Sequence, residues 1–78
     1  MTVSEFQTAV EEILDVPRGS IKESDSRDSI ASWSSLADVK IVALLASESG
    51  IELDSELMEA ETFGEMLALL KRVGALKA

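Results

Sequence analysis

Two adjacent serines, Ser34 and Ser35, stand at the head of the most apolar run of this chain, SIASWSSLADVKIVALLAS at residues 29–47. A serine hydroxyl becomes a strong nucleophile beside a base, and the 78-residue sequence contains neither His nor Cys. A Ser-His-Asp triad and a Cys–His zinc site are therefore excluded. No Gly-rich loop leads into Lys-Ser/Thr, so nucleotide hydrolysis has no support. Glu11 with Glu12, or the Glu59–Glu61 region, could supply a carboxylate pair, but acids at helical spacing fit a solvated face better than acid–base work. The stretch ESDSRD, residues 23–28, is loosely similar to a calcium loop yet lacks the Gly and the terminal Glu at the required positions. What remains is a hydroxyl at a helix start. Free backbone N–H groups and the helix dipole there favour an anion, such as a phosphate ester on that oxygen. The plain structural counterpart is an N-cap serine with no further role.

The elements that must hold these serines follow from periodicity. In TVSEFQTAVEEILDV, Val3, Phe6, Val10, Ile13 and Leu14 recur at steps of three and four, which predicts a first helix. Glu5, Gln7, Glu11 and Glu12 fall largely on its other faces. Thr2 or Ser4 can cap it, with Glu5 completing a box if Thr2 is the cap, and Pro17 ends it. Residues 18–33, RGSIKESDSRDSIASW, read as a long loop pinned by Ile21, Ile30 and Trp33. A second helix is expected from about Ser35 to Ser49, capped by Ser34 or Ser35 and stopped at Gly50, with Asp38 adding negative charge to its first turn. Leu36, Val39, Val42, Ala43 and Ala46 make one apolar arc, and Ile41, Leu44 and Leu45 extend it around another side, so this helix is expected to be central. Ile51 and Leu53 suggest a short extended connector, Asp54 a cap for a short helix containing Leu57 and Met58. Thr62 and Glu65 have capping-box spacing and open a last helix with Phe63, Met66, Leu67, Leu70 and Val73 on one face. Lys71 and Arg72 suit its C-terminal end, and Gly74 is expected to terminate it.

The fold class read from this order is all-α: a small four-helix bundle, three longer helices plus one short helix, with a long loop between the first and second. Residues 1–78 make a single domain. Fifteen acidic residues against seven basic ones give a net charge of −8, which argues against nucleic acid or an anionic membrane as partner. The absence of Cys fits a reducing compartment and removes disulfide staples. No signal-like segment opens the chain and no run approaches the length of a spanning helix. The expectation is a cytoplasmic monomer, and a discrete protein rather than an excised module.

The segment WSSLADVKIVALLASESGIELDSELMEAETFGEMLALL resembles the acyl and peptidyl carrier protein family. Members usually read Asp-Ser-Leu, often Trp-Asp-Ser-Leu, at the start of the second helix. An apolar helix, an acidic or Gly-containing turn, an Ile/Val-x-Leu/Ile connector, a short helix and a capped last helix follow. Trp33, Ser35, Leu36, Val39, Val42, Leu45, Gly50, Ile51, Leu53, Thr62 and Leu67 fall where that pattern wants them. The first helix, the long first loop and the length agree, so the resemblance spans nearly the whole chain.

The resemblance implies a protein that catalyses nothing itself. A phosphopantetheinyl transferase using magnesium would attach 4′-phosphopantetheine from coenzyme A to Ser35, the serine that Leu36 follows. The arm's thiol would carry an acyl or aminoacyl group as a thioester between acyl-loading and acyl-transfer enzymes. Ser34 stands where the family has Asp; it can still cap, but a carboxylate that the transferase could read is gone. A docking stripe is implied along Leu36, Lys40, Ala43 and Ser47 with Asp38 beside it. Relatives often place acids on this stripe, whereas here it carries a lysine, which points to specialised partners in polyketide or other secondary-metabolite synthesis. Ile41, Leu45, Leu57 and Met58, with Leu67 or Leu70 behind, correspond to the wall that shelters an acyl chain; for a small polar cargo, simple packing of these residues is the better account. The alternatives are a small acidic helical adaptor in which Ser35 is only a cap, and an unmodified carrier-like relative.

Overall fold

The computed structural model of the chain describes residues 1–50 and 54–77, apart from the side chains at positions 54, 55 and 58. Four helical segments follow one another: α1 (Val3–Leu14), α2 (Ser35–Ser49), α3 (Asp54–Glu59) and α4 (Phe63–Arg72). Among the described residues there is no strand, only two isolated bridges, Thr2 with Lys77 and Ser26 with Thr62. The all-α expectation holds. The finer one, a bundle of four, does not: α3 has six residues, fewer than two turns, and the framework is three helices with one short segment. No helix among the described residues is long and apolar enough to cross a membrane.

Each end of the framework has a local cause. Thr2, not Ser4, caps α1: its hydroxyl accepts the Glu5 N–H and the Glu5 carboxylate accepts the Thr2 N–H, at 3.1 and 2.9 Å. The helix stops at Leu14, with Asp15 in the left-handed region (φ 57°), so Pro17 acts two residues beyond an end already made. Gly50 closes α2 at φ 70°, a conformation open to a residue without Cβ. Thr62 and Glu65 form the expected box on α4. Asp54 begins α3 within the helix rather than capping it from outside. The extended connector expected at Ile51 and Leu53 lies outside the described residues.

The core gathers Phe6, Val10 and Leu14 from α1, Ala37, Ile41 and Leu45 from α2, Leu57 from α3, and Phe63, Met66, Leu67, Leu69 and Leu70 from α4. Phe6 and Phe63 stack with ring centroids 5.9 Å apart, joining α1 to α4. The segment after α4 belongs to the core too. Ala75 and Leu76 are buried, and Lys77 pairs with Met1 and Val3 through two backbone hydrogen bonds of 3.1 Å. Val73, expected on the inner face of α4, is exposed at the cap position where the helix has already ended.

Two expectations change sign. In α2 the buried face is Ala37, Asp38, Ile41 and Leu45, while Leu36 and Val39, placed on the apolar arc, are 62% and 54% exposed. A domain this small has too few neighbours to cover a helix that is apolar on every side. Glu11, read as part of a solvated face, is 2% exposed. Its carboxylate accepts the Ile21 N–H at 3.1 Å and faces the Gln7 amide at 3.5 Å. It secures the loop rather than pairing with Glu12.

The long loop is ordered because its backbone groups find partners. Ile21 and Trp33 are buried and Ile30 is half-buried, so all three expected pins pack inward. Residues 23–26 run antiparallel to the start of α4: the N–H groups of Phe63 and Gly64 donate to the carbonyls of Asp25 and Glu23 at 2.8 and 2.9 Å. A Cβ at Gly64 would lie 3.0 Å from Glu23, so the close approach requires glycine.

Candidate functional site

The two serines have different jobs. Ser34 is the N-cap of α2, with extended backbone (φ −101°, ψ 177°); its hydroxyl accepts the Ala37 N–H at 3.4 Å and its carbonyl accepts the Asp38 N–H at 3.1 Å. The hydroxyl contact is long, so this cap is weak. Ser35 is the first helical residue and is exposed. Its hydroxyl takes no hydrogen bond among the described residues, and the N–H groups of Ser35 and Leu36 lack an intrahelical acceptor, as the first turn of any helix requires. Spacing alone left both serines as capping candidates; the geometry gives the cap to Ser34 and leaves the Ser35 oxygen free.

Beneath this turn lies a polar cluster that spacing did not reveal. Asp38, 7% exposed, accepts the Trp33 indole N–H at 2.9 Å and both Nε and Nη2 of Arg27, at 2.9 and 3.0 Å. The remaining arm of the guanidinium donates from Nη1 to the Ala60 carbonyl at 2.6 Å. The same guanidinium carbon sits 5.3 Å from the centre of the Trp33 ring. This corrects Asp38 as a docking residue: it points inward, both its oxygens are engaged, and a partner reaches neither. In the sequence Arg27 was one of three cations, with Arg18 and Lys22, in a Ser- and Asp-rich loop, and nothing in its spacing singled it out.

The rest of the predicted stripe is on the outer face of α2. Leu36, Lys40, Ala43 and Ser47 are all exposed, and Val39 joins them between Leu36 and Lys40. The predicted acyl-chain wall is a different matter. Ile41, Leu45 and Leu57 are fully enclosed in the core, with Leu67 and Leu70 among their companions; the Met58 side chain lies outside the described residues. Ile41, Leu45 and Leu57 are each at most 2% exposed and belong to one buried cluster.

Two shallow grooves lie elsewhere. One, of about 450 Å³, runs between the loop and the segment joining α3 to α4, lined by Ser24, Ser26, Arg27, Asp28, Glu61 and Thr62. The other, of about 320 Å³, lies beside α1 near Glu5, Glu12 and Arg18. Among the described residues no three acidic side chains converge as metal ligands would, and the calcium-like stretch at 23–28 spends Asp25 on the Lys22 N–H. No family model, curated protein or solved structure matches this chain.

Proposed function

We propose that this chain is a carrier protein modified on Ser35 by phosphopantetheine. The observation that carries the reading is the contrast between the two serines: Ser34 is consumed as the cap, and Ser35 offers a free, exposed hydroxyl at the first position of a helix. A phosphodiester on that oxygen fits the residues present. The unpaired N–H groups of the first turn would favour its charge, and the nearest acid of the helix, Asp38, is turned inward and paired with Arg27. The group would supply a thiol for thioester formation, which a chain without Cys cannot supply itself.

Within this reading the chain's own residues present Ser35 and the exposed stripe to partners and perform no catalysis. The transferase and the loading and transfer enzymes act on it, in a cytoplasmic setting and on a monomer. The short α3 stands where the carrier pattern has its short helix. Cargo on this carrier would ride outside the packed core, which suits small or polar intermediates of a secondary-metabolite pathway. The test is direct. The protein is incubated with coenzyme A, magnesium and a promiscuous phosphopantetheinyl transferase, and its intact mass is measured. A gain of one phosphopantetheine that vanishes in Ser35→Ala is expected; no gain with several transferases overturns the reading. A second reading, a helical adaptor, draws on the exposed Leu36 and Val39, and it becomes the better account if Ser35 stays unmodified.

A further inference from the structure

The free hydroxyl of Ser35 is useful only if the chain enters α2 at a fixed angle, and the cap itself supplies little of that. Helices commonly fix this angle by packing the residue before the N-cap against the fourth helical residue. Here those positions are Trp33 and Asp38, and the contact is a hydrogen bond from the indole N–H to a buried carboxylate. A buried carboxylate is stable only when its charge is matched. Arg27 provides the match with two parallel bonds, and with a third reaches the Ala60 carbonyl just beyond α3. One side chain from the loop therefore ties the start of α2 to the α3–α4 junction.

We propose that Arg27 is a positioning residue for Ser35: it holds the Trp33–Asp38 contact closed, and so keeps the first turn of α2, with its serine, in the conformation a modifying enzyme takes up. Without Arg27 the Asp38 carboxylate keeps a single donor in a dry site. It then turns toward water, the indole loses its acceptor, and the turn bearing Ser35 opens. The competent conformer becomes a fraction of the population, and apparent affinity for the enzyme falls by that fraction, while turnover at saturation is unchanged. The modification arm of this inference rests on the carrier reading; the conformational arm does not.

The experiment compares wild type with Arg27→Met, the double variant Arg27→Met/Asp38→Asn, and Gly64→Ala. The double variant leaves no unmatched charge and keeps an amide oxygen for the indole. Gly64→Ala strains the far end of the same loop against Glu23 and is the control for lost stability alone. Three quantities are read under conditions where each variant is folded by far-ultraviolet circular dichroism: Trp33 emission, hydrogen exchange at the Ala37 amide, and the KM and kcat of transferase modification. Trp33 is the sole tryptophan, so its emission reports this contact directly. Arg27→Met is expected to shift emission to the red, speed Ala37 exchange and raise KM about tenfold at unchanged kcat, as a competent fraction of roughly one tenth requires. The double variant is expected to restore all three, and Gly64→Ala to leave them near wild type. If Arg27→Met behaves as Gly64→Ala does, or the double variant restores nothing, the inference is overturned. Should Arg27→Met fail to fold, Arg27→Gln replaces it: a neutral amide leaves the Asp38 charge unmatched, so the same shifts are expected, and wild-type behaviour there overturns the inference. If wild type itself is never modified, the carrier reading falls, and emission and exchange still decide the role of Arg27.

Discussion

Replacing Glu11 with Gln tests how the long loop is fastened to α1. The carboxylate is covered by the loop and accepts the buried Ile21 N–H. Gln has the same size and retains an acceptor oxygen, so the substitution removes charge and little else. A hydrogen bond to a charged group contributes about 1.5–3 kcal/mol net and a neutral one about 0.5–1.5, so the expected loss is about 1 kcal/mol. In a domain of this size that lowers Tm by about 4–8 °C. Glu11→Ala removes the acceptor and leaves the Ile21 N–H unpaired, costing about 2–3 kcal/mol. The pH dependence separates charge from shape. Burial pushes the Glu11 carboxyl up, but the N–H groups of Gly19 and Ile21, the Gln7 amide and Arg18 pull it further down, leaving it below its ordinary 4.5. A depressed carboxyl contributes stability that is complete above its unfolded value and is lost as pH falls through the folded one. The difference between wild type and Glu11→Gln is therefore constant from neutral pH to about 4.5 and shrinks toward zero below it. Glu5 is also lowered, by the Thr2 N–H and then the Thr2 hydroxyl, but it is present in both proteins and cancels. Urea unfolding of the pair across a pH series, followed by circular dichroism, makes the measurement. Equal stability at neutral pH, or a difference that persists unchanged in strong acid, refutes the account of Glu11 as a charged fastener.

Ser34→Asp replaces a hydroxyl that reaches the Ala37 N–H only at 3.4 Å. A carboxylate there is expected to stabilise the protein by up to about 1 kcal/mol, seen as a higher Tm, and to raise the rate at which a transferase modifies Ser35. Lys40→Glu reverses the one charge on the exposed stripe Leu36, Lys40, Ala43 and Ser47. It is expected to leave stability within about 0.5 kcal/mol of wild type while weakening binding to a cognate loading enzyme in calorimetric titration; unchanged binding removes the charge argument for specialised partners.

The helices were legible where a local signal repeats a structural period or a cap. Thr62 with Glu65, Ser49 before Gly50, and the Phe6–Val10–Leu14 face are of this kind, and they stand as expected. The orientation of α2 was not legible, because apolar residues all around a helix carry no period that selects a face. Its buried side became apparent only once α1 and α3 were in place beside Ala37, Ile41 and Leu45. Glu11 and Arg27 were illegible for a related reason. A charged residue is read as solvated until the group it meets is known, and their partners lie ten positions away at Ile21 and eleven at Asp38. Ser34 and Ser35 fall between these cases: the helix start was readable, but the choice of cap depends on backbone angles that no composition encodes.

The charge on Asp38 connects the two serines to the rest of the molecule. An acid in the first turn normally offsets the positive end of the helix dipole and makes that end less receptive to an anion. In α2 the acid is present, but it is turned inward and its charge is matched by Arg27. The chain as a whole carries an excess of eight negative charges, and in this turn one loop arginine matches the one acid. Ser34 adds no charge to this turn, whereas Asp there would add a carboxylate beside the phosphodiester proposed on Ser35. Two like charges about 5 Å apart in water repel by roughly 1 kcal/mol. Under the carrier reading, serine at this position gives up capping strength and adds no like charge beside an anion on its neighbour.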